Sequence, residues 1–163
     1  AATFTVSQVA RKQTRRNPAA PFTTSTLQQE AARKLYFSAK HTMQVAQRLY
    51  EGVNIGGETV GLITYMRPDS TSVSNEARNE VRSYIDKRFG HKFLPASPRV
   101  FARKSKGAQE AHEAIRPTSA ARDPESLKSY LSSDQRRLYE LIWKRMVASQ
   151  MSSAGPVGRP GAV

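Results

Sequence analysis

The chain has 163 residues, no cysteine, and 26 Lys plus Arg against 13 Asp plus Glu, a formal net charge of +13. The lack of cysteine excludes disulfides and thiolate metal sites, and no apolar run approaches the roughly 18 residues of a membrane-spanning helix. A chain of this length holds one domain with room for a fragment of another, and its basic excess favours a polyanionic partner, because Lys and Arg displace condensed counterions from nucleic acid.

Ala1 to Val9 alternates apolar and polar residues without an apolar block. No secretory leader is read there, so cytoplasmic residence is the default expectation. Within it, the period-two run Thr3-Phe4-Thr5-Val6-Ser7-Gln8-Val9 predicts a strand. Arg11, Lys12, Arg15 and Arg16 follow, either as a solvated linker or as a phosphate contact. Ser25 and Gln28 form a capping-box pattern, and Leu27, Ala31 and Leu35 recur at helical spacing, which predicts a helix over 25–36. Ser38 is positioned to cap a second helix with an apolar stripe of Ala39, Met43, Ala46, Leu49 and Tyr50. Its other face carries Lys40, His41, Gln44, Gln47 and Arg48, with His41 read as a surface histidine. Two helices joined by Phe37-Ser38 have the outline of a helix-turn-helix unit. The segment 53–60, with Asn54 and Gly56-Gly57, reads as a loop, and it lacks the Lys of a phosphate-cradling P-loop.

Gly61-Leu62-Ile63-Thr64-Tyr65-Met66-Arg67-Pro68-Asp69-Ser70-Thr71 is the most informative stretch. Leu62 and Ile63 suggest a short buried strand that Pro68 stops. Beyond it a phenol, a permanent cation and a carboxylate come within five residues, and on a strand Arg67 faces the same side as Tyr65. A phenol, with a pKa of about 10, is a weak nucleophile at neutral pH unless a neighbour stabilises negative charge. A guanidinium fork suits a pair of phosphate oxygens. Attack on a phosphodiester, leaving a covalent phosphotyrosine, is one reading; a half-buried strand tyrosine beside a surface arginine is the other.

Farther on, Ser74 with Glu76 starts a third helix whose inner face is Ala77, Val81, Tyr84 and Ile85 and whose end is Gly90. From His91 to Gly107 the chain reads as a basic, mobile loop. Gln109 to Arg116 then crowds His112, Glu113 and Arg116 together, without a second histidine at zinc-ligand spacing. Ser132 and Gln135 cap a last helix to about Gln150, bearing Leu138, Leu141, Ile142 and Met146, with Trp143 as a packing residue. The Gly/Pro-rich residues 152–163 read as a disordered end or an expression remnant.

Four stretches in this order carry a resemblance: Asn17 to Ala31, Met43 to Gly52, Gly61 to Thr71, and Gln109 to Pro117. Together they resemble the bacterial type IA DNA topoisomerases. The resemblance implies a mainly α fold, a helix bundle with a winged-helix, catabolite-activator-like (CAP-like) core. Residues 1–21 would be a strand and linker of a β-rich hinge, and residues 22–151 the tyrosine-bearing domain. It implies Tyr65 as nucleophile and Arg67 as the stabiliser of phosphate charge, with Thr64, Asp69, Arg48, His112 and Arg116 contacting DNA. The family usually has Thr where this chain has Pro68. The implied partner is DNA, chiefly single-stranded. The implied cofactor is Mg²⁺, bound in a preceding acidic Toprim domain whose Asp-x-Asp cluster is not in this sequence. The chain is therefore expected to be an excised fragment that carries the nucleophile and is inactive alone. The runner-up is a non-catalytic helix-turn-helix DNA-binding module.

Overall fold

A computed structural model describes residues 1–9, 15–101 and 113–155. Helix α1 (Thr24–Leu35) begins at Thr23, whose hydroxyl accepts from the Thr26 amide while Thr26 reaches back to the Thr23 amide. The cap thus lies two residues before the expected Ser25, although the spacing of the box is the same. Tyr36 ends the helix in the left-handed region, with φ of 59°. Helix α2 (Ala39–Glu51) starts at Ser38 as predicted and buries Met43, Val45, Ala46 and Leu49.

The segment read as a loop is a β-hairpin. Strands β1 (Val53–Ile55) and β2 (Glu58–Val60) pair antiparallel, with Ile55 opposite Glu58. Gly56 and Gly57 both have positive φ, and the Asn54 side chain accepts from the Gly57 amide at 2.9 Å. Two consecutive positive-φ residues are what a tight hairpin turn requires. Strands of three residues are too short to show a period of two, which is why alternation did not reveal them. The helix–turn–helix–hairpin order supplies the wing that the winged-helix expectation calls for.

Helix α3 (Asn75–Phe89) is capped by Ser74 and stops at Gly90 (φ 105°), both as predicted. Helix α4 (Ser133–Ser149) carries the expected Ser132–Gln135 box and buries Leu138, Ile142, Met146 and Trp143. The Trp143 indole N–H donates to Ala120 O at 3.0 Å, which confirms its packing role. Helices α1, α2 and α4 pack mutually, and α3 joins them against α4. Two polar contacts tie α4 across this core. Arg145 pairs with Glu30 of α1 at 3.1 Å and lies 4.2 Å over the Phe22 ring. His41, expected at the surface without a role, bonds Asp134 through Nε2 at 2.7 Å and so links α2 to α4. Burial pushes the Glu30 carboxyl up, but Arg33, Lys34 and Arg145 outweigh it, and the net direction is down.

The period-two run does not form a strand here: residues 1–9 are exposed throughout and form no bridge among the described residues. Alternation makes a strand only where a neighbouring edge supplies hydrogen-bond partners. At the other end, residues 152–154 are held rather than disordered. Arg16 and Ala154 form an isolated antiparallel bridge, the Ser152 amide donates to Phe93 O at 2.8 Å, and Arg99 reaches Met151 O and Ser153 Oγ. Residues 156–163, like the cations Arg11, Lys12, Arg103, Lys104 and Lys106, lie outside the described residues.

The core identifies a sensitive position. Leu49 is fully buried at the end of α2, and its carbonyl accepts from the Leu62 amide at 2.8 Å. Leu49→Ala is expected to lower unfolding stability by about 2–5 kcal/mol, read from the denaturant midpoint.

Candidate active site

Gly61 to Pro68 is an extended segment clamped on three sides. Against α2, Leu62 is bonded to Leu49 O, and Gly61 passes so close that an added Cβ would lie 2.9 Å from Tyr50 O. Against residues 113–118, the Thr118 amide donates to Leu62 O (3.0 Å) and the Thr64 amide to Arg116 O (2.9 Å), with Ile63 opposite Pro117. Against the start of α1, the Thr24 amide donates to Pro68 O (3.1 Å) and its hydroxyl to Met66 O (2.9 Å). The short buried strand expected at Leu62-Ile63 is therefore a single-bridge extended segment, with both side chains in the core.

The clamp sets an alternation. Met66 and Pro68 are buried, whereas Tyr65, Arg67 and Asp69 are exposed. Tyr65 is 45% exposed and meets Tyr50 edge-on, ring centroids 5.6 Å apart. Arg67 is exposed on the same alternate positions, and Arg48 is exposed on the last turn of α2. Neither arginine forms an ion pair among the described residues. The arrangement presents a phenol on a rigid backbone with cations free to meet an anion.

Thr64 and Arg116, by contrast, are held inward. The Thr64 hydroxyl donates to Ala114 O at 2.7 Å and accepts from the Arg116 amide at 3.0 Å. The Arg116 side chain is 14% exposed and bonds Glu113 Oε2 at 2.6 Å. Glu113 Oε1 accepts from the Ser74 amide at 2.7 Å, at the cap of α3. Burial alone raises the Glu113 pKa, but the Ser74 amide and the Arg116 guanidinium overcome it and hold the carboxyl below its usual range. This chain of contacts joins α3, residues 113–118 and the Tyr65 segment. Sequence reading singled out its members but not their bonding, since Ser74 and Glu113 lie 39 positions apart. Thr24 was missed altogether, because nothing local marks a helix-start hydroxyl that serves a distant strand. His112 lies outside the described residues.

Among the described residues no group of three His, Asp or Glu side chains could hold a metal ion, and no helix is long and apolar enough to cross a membrane.

A family model described as DNA topoisomerase matches residues 1–156. DNA topoisomerase 1 of Rickettsia felis is 59% identical over 150 residues, covering 92% of this chain and 19% of the relative. That of Xylella fastidiosa is 56% identical over 150 residues, covering 91% and 18%. Among solved structures, full-length topoisomerase I from Thermotoga maritima aligns with a TM-score of 0.75 and 47% identity, over 87% of this chain and 22% of that one. The chain thus spans about a fifth of the length of the curated relatives it matches.

Two outcomes follow from the clamp. Because the folded pKa of Glu113 is depressed, its contribution is complete above the ordinary glutamate value of about 4.3 and is lost as pH falls through the folded value. Glu113→Gln should therefore flatten the acid limb of a stability-versus-pH curve and leave the alkaline limb unchanged. Gly61→Ala forces a methyl onto a backbone carbonyl and is expected to cost about 1–3 kcal/mol, with loss of the Tyr50–Tyr65 ring contact in an NMR NOE spectrum.

Proposed function

The chain belongs to the DNA topoisomerase family, and from that premise we propose that it is the nucleophile-bearing piece of a type IA enzyme that cleaves and religates one DNA strand. The observation that carries this reading is Tyr65, exposed on a backbone held from three sides and alternating with the unpaired Arg67. In the proposed step the Tyr65 phenol oxygen attacks phosphorus and the P–O bond to the 3′ oxygen breaks. The phenolic proton is lost, the departing 3′ oxygen gains a proton, and the 5′ phosphate stays on tyrosine. Religation is the reverse, so the ester conserves the bond energy and no ATP is consumed. Passage of a second strand between these steps relaxes negative supercoils.

Each residue's part follows from its chemistry. Arg67 places its fork on the non-bridging phosphate oxygens, where charge grows in the transition state. The immobilised backbone contributes positioning, since the nucleophile loses little further freedom on reaction. Arg48 and His112 contact the DNA backbone, and Asp69 supports the local hydrogen-bond network. Thr64 and Arg116 also serve DNA binding, chiefly by fixing the Tyr65 segment. The substrate is single-stranded DNA, held by sequence-tolerant, salt-sensitive contacts.

The remainder of the machinery belongs to portions of the enzyme outside this chain. Residues 1–21 form the link to the β-rich hinge and residues 22–151 the tyrosine domain. Mg²⁺ is assigned to the Toprim portion, as the resemblance implies, and no step above runs through it. The setting is cytoplasmic. A second reading rests on the α1–α2 helix-turn-helix with its hairpin and on the exposed polar face of α2: a DNA-binding module without catalysis.

Covalent trapping separates the two. End-labelled single-stranded oligonucleotide, Mg²⁺ and this chain are combined with and without the Toprim-containing portion, and run on a denaturing gel beside Tyr65→Phe. An adduct that needs both the added portion and Tyr65 is expected. Salt-dependent binding without any adduct would favour the binding module.

A further inference from the structure

Six residues beyond Tyr65, the chain lines a cavity of about 170 Å³ that the catalytic reading leaves unused. Its walls come from four places: Thr71 and Ser72 just after the active segment, Arg78 on the first turns of α3, Arg99 and Phe101, and Gln150 at the end of α4. The frame is rigid. Thr71 Oγ1 donates to Phe101 O at 2.5 Å, and the Gln150 side chain both accepts from the Arg99 amide (3.2 Å) and donates to Arg99 O (3.0 Å).

Two half-buried guanidinium groups line one small cavity, and a partly desolvated cation gains from an anion placed beside it. Among the described residues neither Arg78 nor Arg99 pairs with a carboxylate. Of the five N–H donors of a guanidinium, Arg99 commits two, to Met151 O and Ser153 Oγ, and Arg78 one, to Asn75 Oδ1. Arg78 Nε, like Arg82 Nη1 and Arg116 Nε, is buried without a hydrogen-bond partner among the described residues. Ser72, which bears a hydroxyl, lines the same cavity. Two cations with spare forked donors, together with a hydroxyl, match a tetrahedral oxyanion.

We propose that this cavity is a phosphate-binding subsite formed by Arg78 and Arg99, which takes a backbone phosphate of the bound strand away from the one that Tyr65 attacks. The part concerning the strand rests on the function proposed above. Six extended residues reach at most about 22 Å, so Thr71 lies within a few nucleotides of the scissile phosphate. Such a contact would set the register of the strand and thereby the bond presented to Tyr65.

Two arms test it on this chain. In the first, inorganic phosphate is titrated at constant ionic strength while backbone amide NMR shifts are followed. Saturable shifts at Thr71, Ser72 and Val100 are expected, absent in Arg78→Gln. Arg78 holds only Asn75 on its own helix, so this variant should fold; Arg99→Lys, which retains charge, is the second variant and should weaken binding without abolishing it. Shifts that do not saturate, or that persist unchanged in Arg78→Gln, would overturn the site.

In the second arm, affinity for single-stranded oligothymidylate is measured against salt. Loss of one phosphate contact should reduce the slope of log K against log salt by about 0.7. An unchanged slope with phosphate binding intact would mean that the cavity takes free phosphate, overturning its role on the strand. The first arm does not depend on Tyr65: if no covalent adduct ever forms, saturable phosphate shifts still sustain the site, and if the adduct forms while the shifts are absent, only the site falls.

Discussion

Everything that positions Tyr65 depends on one short backbone ladder, the bonds between Leu62–Thr64 and Arg116–Thr118. It joins stretches more than fifty positions apart and is not itself part of a sheet. Residues 113–118 serve both neighbours, with the Ile115 amide bonded to Phe22 O (2.8 Å) and the Ala114 amide to Ser72 O (2.8 Å). Three segments, at Phe22, Leu62–Thr64 and Ser72, therefore converge on the extended piece 113–118. Ile63 and Ile115 fill the core beneath it, so the apolar burial that stabilises the domain also immobilises the segment that carries the phenol.

That ladder divides the arginines into two groups. Arg116 and Arg145 point inward, each against one carboxylate, Glu113 and Glu30 respectively. A partly buried cation is tolerable when it is paired and hydrogen-bonded, and removal of its partner is costly. Arg48 and Arg67 stay in water without such partners. A net charge of +13 therefore overstates the field available to a ligand at any one place, because some of the charge is spent on internal architecture. Among the described residues Arg48, Arg67, Arg78 and Arg99 are some of the cations that no carboxylate compensates.

Local signals were legible wherever one turn of chain contains the whole interaction. Ser38, Ser74 and Ser132 cap helices as their spacing implied, and Gly90 ends α3 because its positive φ is closed to larger residues without strain. The first cap lies at Thr23, where the amide and hydroxyl of Thr24 bond Pro68 O and Met66 O of a distant extended segment. The hairpin escaped because three-residue strands carry too few positions for a period, although Gly56-Gly57 was its turn signal. The period-two run at Thr3–Val9 stays exposed here, since alternation forms a strand only where an edge supplies hydrogen-bond partners.

By itself, the sequence determined the helical class, most helix boundaries and, through four ordered motifs, the family. These are properties of nearest neighbours and of residue types. Tertiary structure alone decided that Thr64 and Arg116 hold each other instead of facing outward, that Glu113 accepts from the amide of Ser74 at the start of α3, and that residues 152–154 return to Arg16 and Asn17. It also brought Arg78 and Arg99 to the walls of one cavity. Such pairings join residues tens to more than a hundred positions apart, and no local pattern encodes which distant hydrogen-bond partner satisfies a group once the core has closed around it.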